Sequence, residues 1–126
     1  MSEPTITIWD AIKIGNLDAV KNCIENNPSV LQQKNDKDLC PLHCAAQSAF
    51  LEVVKYLVEH GADVNVKSQY CQTPLHIAAV FGNLKVVKYL IEYGADVNVK
   101  DTYWYLTPLH AAVNNSQLEV VKYLFG

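Results

Sequence analysis

Three blocks of sequence recur in step along this chain of 126 residues, and their spacing restricts the fold more than any other feature. Pro41-Leu42-His43, Pro74-Leu75-His76 and Pro108-Leu109-His110 follow one another at steps of 33 and 34 residues. Val53-Val54-Lys55-Tyr56-Leu57 returns as residues 86–90 and again as residues 120–124, at the same two steps. Gly61-Ala62-Asp63-Val64-Asn65-Val66-Lys67 returns unchanged as residues 94–100. Self-similarity at this period implies a stack of small units, none of which can bury its apolar face alone. Such a stack presents surface rather than an enclosed pocket, and it argues against an enzyme.

The physics of one unit can be read from residues 68–100. Thr73 followed by Pro74 is an N-cap with proline at the first helical position. Leu75, Ala78 and Ala79 then share one apolar face at helical spacing, and their small size lets neighbouring units approach closely. Gly82 supplies a left-handed stop. Asn83 is expected to cap a second helix bearing Leu84, Val86, Val87, Leu90 and Ile91. Gly94 ends that helix and leads into the turn Ala95-Asp96-Val97-Asn98. Each unit is thus a helix–turn–helix, and the fold class is all-α.

The run Thr73-Pro74-Leu75-His76-Ile77-Ala78-Ala79, with Gly82, Val86-Val87, Leu90 and Gly94-Ala95-Asp96-Val97-Asn98, resembles the ankyrin repeat, and the resemblance covers nearly the whole chain. It implies a solenoid of antiparallel helix pairs, short β-hairpin fingers between units, and a concave groove built from finger tips and first helices. Residues 5–34 form an N-terminal capping unit, in which Gly15 to Val20 align with Gly82 to Val87 and Trp9 takes the histidine position. Its Lys13, Lys21, Asn22 and Glu25 suit an end that faces water, and Asn27-Pro28 breaks its second helix. Units 35–67 and 68–100 follow. Unit 101–126 is truncated, since Gly126 aligns with Glu92, and the natural protein is expected to continue; a complete protein with its last face covered by a partner is the alternative. Ala49 and Ser116 stand at the Gly82 position, and Asp38 and Cys71 at a finger-tip glycine position.

Composition excludes several classes of function. Half the residues are hydrophobic and 18% are charged, enough apolar surface to bury a core. The net charge is −3 and all ten basic residues are lysine, which argues against nucleic acid, where arginine forks and a basic stripe are expected. No apolar run reaches the length of a membrane span. Cys23, Cys40, Cys44 and Cys71 follow the period only loosely and read as reduced thiols, which places the chain in the cytoplasm or another reducing intracellular space, such as the nucleus.

Two apparent sites are better read as structure. His43, His76 and His110 sit on successive first helices about 10 Å apart, too far to share a metal, and the resemblance implies that each bonds backbone and threonine near a finger base. Cys40-Pro41-Leu42-His43-Cys44 looks like a metal motif but lacks a converging second pair. No poised base or oxyanion hole accompanies any nucleophile. No cofactor is expected.

Function then falls to positions that the repeat leaves free. In the fingers these are Asp36, Lys37 and Leu39, then Gln69, Tyr70 and Gln72, then Thr102, Tyr103, Trp104, Tyr105 and Leu106. On the first helices they are Lys13, Ile14, Gln47, Ser48, Val80, Phe81, Asn114 and Asn115. The extra residue of the last finger lies within Tyr103-Trp104-Tyr105. Aromatics there, with Tyr70 and Phe81, suit a protein contact or else fold back on the last unit. The partner surface is therefore expected to comprise Gln69, Tyr70, Gln72, Val80, Phe81, Tyr103, Trp104, Tyr105, Asn114 and Asn115. The resemblance further implies that Asn65 and Asn98, each following a leucine at a suitable spacing, are candidates for asparaginyl hydroxylation; a plain turn role is the alternative. The resemblance implies a protein- or peptide-binding module, expected to be a monomer with an open C-terminal face that could pair. Alternatives are a regulatory or targeting domain of a larger enzyme, a small steric inhibitor, or a stretch of a longer solenoid.

Overall fold

Where each helix begins and ends follows from a few polar side chains. In the computed structural model, which describes residues 6–102 and 106–125, the Thr7 hydroxyl accepts the Asp10 N–H at 3.2 Å and opens α1 (Ile8–Ile14). Asn16 does the same for α2 (Leu17–Asn26), accepting the Ala19 N–H at 3.1 Å. Pro28 then turns the chain into a short 3-10 segment, Pro28–Gln32, which is the break expected at Asn27-Pro28. The helices α3 (Pro41–Ser48), α5 (Pro74–Val80) and α7 (Pro108–Asn114) all start on proline. Their partners are α4 (Leu51–Glu59), α6 (Leu84–Glu92) and α8 (Leu118–Phe125).

The first helices α1, α3, α5 and α7 pack on one another in chain order, and the second helices form an outer row. Alanine makes the inner row possible: Ala11, Ala45, Ala46, Ala78, Ala79, Ala111 and Ala112 are all buried between first helices. Val20, Val53, Val54, Leu57, Val86, Val87, Leu90 and Val120 fill the layer between the rows. Each large side chain removed from water there contributes about 1.5–3 kcal/mol before the entropy of ordering is charged.

Four non-glycine residues adopt left-handed backbone: Asp38 (φ 62°), Ala49 (φ 64°), Cys71 (φ 57°) and Ser116 (φ 56°). These are the positions where the repeat elsewhere calls for glycine. Gly15 (φ 73°) has a second reason to lack a side chain, because a Cβ would come within 2.6 Å of the Phe50 ring.

Successive units are joined by side chains that reach the main chain of the next or the preceding unit. His43 Nδ1 accepts the Cys40 N–H at 3.1 Å, so its Nε2 carries the proton and donates to the Gln72 carbonyl at 2.9 Å. His76 repeats this one unit later: Nδ1 faces Thr73, and Nε2 donates to the Leu106 carbonyl at 2.8 Å. The Asn65 amide donates to the Gly94 carbonyl at 3.0 Å and accepts the Asp96 N–H at 2.7 Å. Asn83 departs from expectation. Its side chain does not cap α6 but donates to the Ala46 carbonyl at 2.6 Å, in the preceding unit. Gln117 reaches the Val80 carbonyl in the same way, at 2.8 Å.

The fingers are tight turns. A backbone bond of 2.9 Å closes each one, Asn35 N–H to Leu39 O, Ser68 N–H to Gln72 O and Asp101 N–H to Leu106 O, and the first two carry a second, Asp38 N–H to Asn35 O at 3.0 Å and Cys71 N–H to Ser68 O at 2.9 Å. They form no strand among the described residues. Neighbouring fingers touch, since the Thr102 N–H donates to the Tyr70 carbonyl at 2.8 Å.

Candidate functional site: the concave surface

The finger turns and the exposed edges of the first helices make up the side on which the resemblance implies a concave groove. In the third unit the tip of the finger carries Gln69 and Tyr70, both exposed, held by the left-handed backbone at Cys71. Phe81, at the end of α5, is 51% exposed, and Tyr70 is 43% exposed. Aromatics at this exposure on rigid backbone are the strongest apolar features of the groove. Gln72 and Val80 are half-buried. Their carbonyls are taken by His43 and Gln117, which leaves their side chains for outside contacts. Asn114 is exposed. Asn115 instead spends its amide on the Ala111 carbonyl at 2.9 Å, closing α7. Tyr103, Trp104 and Tyr105 lie outside the described residues.

At the other end of the groove, α1, α3 and the finger of the second unit enclose an open depression of about 280 Å³. Trp9, Leu39 and Cys44 give it apolar surface, Gln47 and Ser48 a hydrogen-bonding edge, and Asp10, Lys13 and Lys37 its charge. Lys13, Lys37, Leu39, Gln47 and Ser48 are among the positions that the repeat leaves free. The enclosure itself was not legible in the sequence, because it joins residues of two units that no period links. Its finger wall is rigid: Asn35 Oδ1 accepts the N–H groups of Lys37 at 2.9 Å and Leu39 at 3.1 Å. The same amide donates to Cys44 Sγ at 3.7 Å.

The buried histidines and the thiols of Cys40 and Cys44 are kept neutral. Burial holds the His43 imidazole below the ordinary histidine value, opposed by its bond to the Gln72 carbonyl. Burial does the same to His76, opposed by Leu106. The Cys44 thiol is pushed up to about 11, first by burial and then by neighbouring Cys40, while the Lys37 ammonium pulls the other way. Burial also raises Cys40, against the pull of Lys34. Such thiols stay protonated near neutrality and are poor nucleophiles. All four cysteines are free. Among the described residues no group of three or more His, Cys, Asp or Glu side chains converges as a metal site would, and no helix is long and apolar enough to cross a membrane. The nitrogens of His43 and His76 are already committed to backbone and threonine partners, the role that the resemblance implied.

A family model described as ankyrin repeats (3 copies) matches residues 8–101 and 71–126. The chain is 40% identical over 60 residues to alpha-latrocrustotoxin-Lt1a of Latrodectus tredecimguttatus, a match covering 48% of this chain and 4% of that protein. It is 30% identical over 73 residues to the serine/threonine-protein kinase VIK of Arabidopsis thaliana, covering 58% of this chain and 16% of the kinase. It is 41% identical over 58 residues to the putative ankyrin repeat protein FPV219 of fowlpox virus (strain NVSL), covering 45% and 13% respectively. The chain thus spans only a small part of the length of each of these relatives.

Proposed function

Because the chain belongs to the ankyrin-repeat family, whose repeats generally serve protein–protein interaction, we propose that it holds a protein or linear peptide against the fingers and first helices, centred on Tyr70 and Phe81. The observation that carries this reading is the exposure of two aromatics on backbone that is already fixed. A preformed surface loses little conformational entropy on binding, so modest contacts suffice for affinity. Gln69, Gln72, Val80 and Asn114 supply hydrogen bonds and apolar edges around that centre. Trp104 and its two tyrosine neighbours are included because the repeat leaves their sequence positions free.

The test is a pull-down from source-cell lysate with the chain and with a Tyr70→Ala, Phe81→Ala, Trp104→Ala variant whose circular dichroism and melting are unchanged. A protein retained by the first and lost by the second supports the groove. Equal retention by both moves the interface to the second helices or to the C-terminal face, and the reading fails.

A second reading is a targeting or regulatory domain of a larger protein. It is favoured by the small share, 4% to 16%, that the matched segments occupy in the relatives named above. The four free thiols favour a reducing compartment, cytoplasmic or nuclear, and we take the domain to act as a monomer. Hydroxylation is a further proposal at Asn98 before Asn65, since the Asn65 amide is engaged by Gly94 and Asp96. An unchanged intact mass after co-expression with an asparaginyl hydroxylase would dismiss it.

A further inference from the structure

The concave side is divided by charge. From α3 to α7 its finger and helix positions carry glutamine, serine, tyrosine, phenylalanine, valine and asparagine, with no ionised side chain between Gln69 and Gln72 or along α5 and α7. Farther along, Lys67 and Lys100 stand at the bases of the next two fingers, while the end formed by the first two units carries charge on its first helix and finger tip. Lys13 and Lys37 line the depression there with one carboxylate, Asp10, a balance of +1 among the lining residues; on the same finger Asp36 lies outside the lining and Asp38 is paired with Lys34 at 3.5 Å. Neither Lys13 nor Lys37 has a carboxylate within ion-pairing distance among the described residues. Asp10 lies in the first turn of α1, and its N–H is bonded to the Thr7 hydroxyl. Lys37 rides on a finger that Asn35 pins at two backbone N–H groups. Trp9 and Leu39 lie in the same depression and offer apolar surface beside the ammonium groups.

We propose that this depression takes an acidic side chain with an apolar neighbour, both from one linear peptide segment of a partner whose uncharged remainder runs along the groove toward Tyr70 and Phe81. The apolar side chain covers Trp9 and Leu39, and the carboxylate lies between Lys13 and Lys37. An Asp or Glu in the segment fixes which way it runs, because the finger tip at Gln69 to Gln72 and the helices α5 and α7 offer no counter-charge. Electrostatic complementarity of this kind contributes register and on-rate more than bulk affinity. The inference rests on the groove reading above and adds the chemistry of the partner and its direction.

The test uses a display library of random dodecapeptides selected on the chain, with affinities of the selected peptides then measured at low and at physiological salt. Selected sequences should share an Asp or Glu beside an apolar residue, and their affinity should fall as salt rises. The double variant Lys13→Glu, Lys37→Glu should weaken them by about tenfold or more, and Lys13→Gln, Lys37→Gln by less. Both variants are checked for unchanged melting, and the milder pair covers the case in which charge reversal disturbs α1. Peptides that lack an acidic residue, or that bind both lysine variants as tightly as the parent, overturn the inference. If Phe81→Ala still weakens those peptides, the groove reading survives. If Phe81→Ala is also without effect, both readings fall. A selection that enriches no peptide over an unrelated helical protein overturns the inference as well.

Discussion

Ala49 carries a side chain at φ 64°, where the Cβ meets backbone oxygen and glycine would not. The Ala49→Gly variant should therefore be more stable by about 0.5–1 kcal/mol, read as a higher urea midpoint; a lower midpoint would contradict the strain argument. Its position was legible because Ala49 aligns with Gly82, whose conformation the repeat dictates. The role of Asn83 was not legible. An asparagine just before a helix satisfies the sequence rule for a cap, yet Asn16 obeys it and Asn83 bonds the preceding unit. The two outcomes need the same residue at the same place, and only the proximity of the Ala46 carbonyl separates them. Asn83→Ala should cost about 1–2 kcal/mol in thermal or urea denaturation, since it leaves that carbonyl unpaired at the joint. A cost near zero would mean that water replaces the amide without loss.

Each helix–finger joint turns on a neutral imidazole. His43 and His76 both accept a backbone N–H at Nδ1, so a proton added there would face a donor and break the geometry that aims Nε2 at the next finger. Both rings have their pKa held below the ordinary 6.5 by burial. The folded state therefore binds fewer protons than the unfolded state once the pH drops below 6.5. Stability is fully present above that value and is lost on acidification from there down toward the depressed folded values. The loss approaches about 1.4 kcal/mol per pH unit for each histidine within its window. Urea midpoints measured across that range should fall as the pH drops. A flat profile would show that the rings titrate freely in the folded chain. The helix pairs were legible because threonine, proline and glycine punctuate them at fixed offsets. The fingers were legible only as turns of the chain: among the described residues their few backbone bonds form tight turns and no strand, where the family resemblance implied hairpins.

Along the stack, burial is uneven. Leu57, Leu75 and Leu90 are completely enclosed, while Leu118 is 67% and Phe125 83% exposed on the last helix. In an assembly where each unit touches only its neighbours, opening starts from the least covered end. Amide exchange should therefore be slower in α3 to α6 than in α7 and α8. Leu75→Ala should cost about 2–5 kcal/mol, whereas Leu118→Ala should stay within about 0.5 kcal/mol; uniform exchange along the stack would argue for one all-or-none unit. The period alone disclosed this architecture, because repetition specifies what is buried. It left the candidate site half-hidden, since partner-facing residues are the ones that repetition does not specify. At the joints, His43, His76, Asn83 and Gln117 all donate to main-chain carbonyls, those of Gln72, Leu106, Ala46 and Val80. A carbonyl is the same whatever side chain stands beside it. The residues at 72, 80 and 106 can thus be exchanged for others without unfastening the stack, and so can the free finger-tip positions between them. The scaffold is heritable separately from its specificity, and a new partner can be acquired by substitutions that the fold does not register.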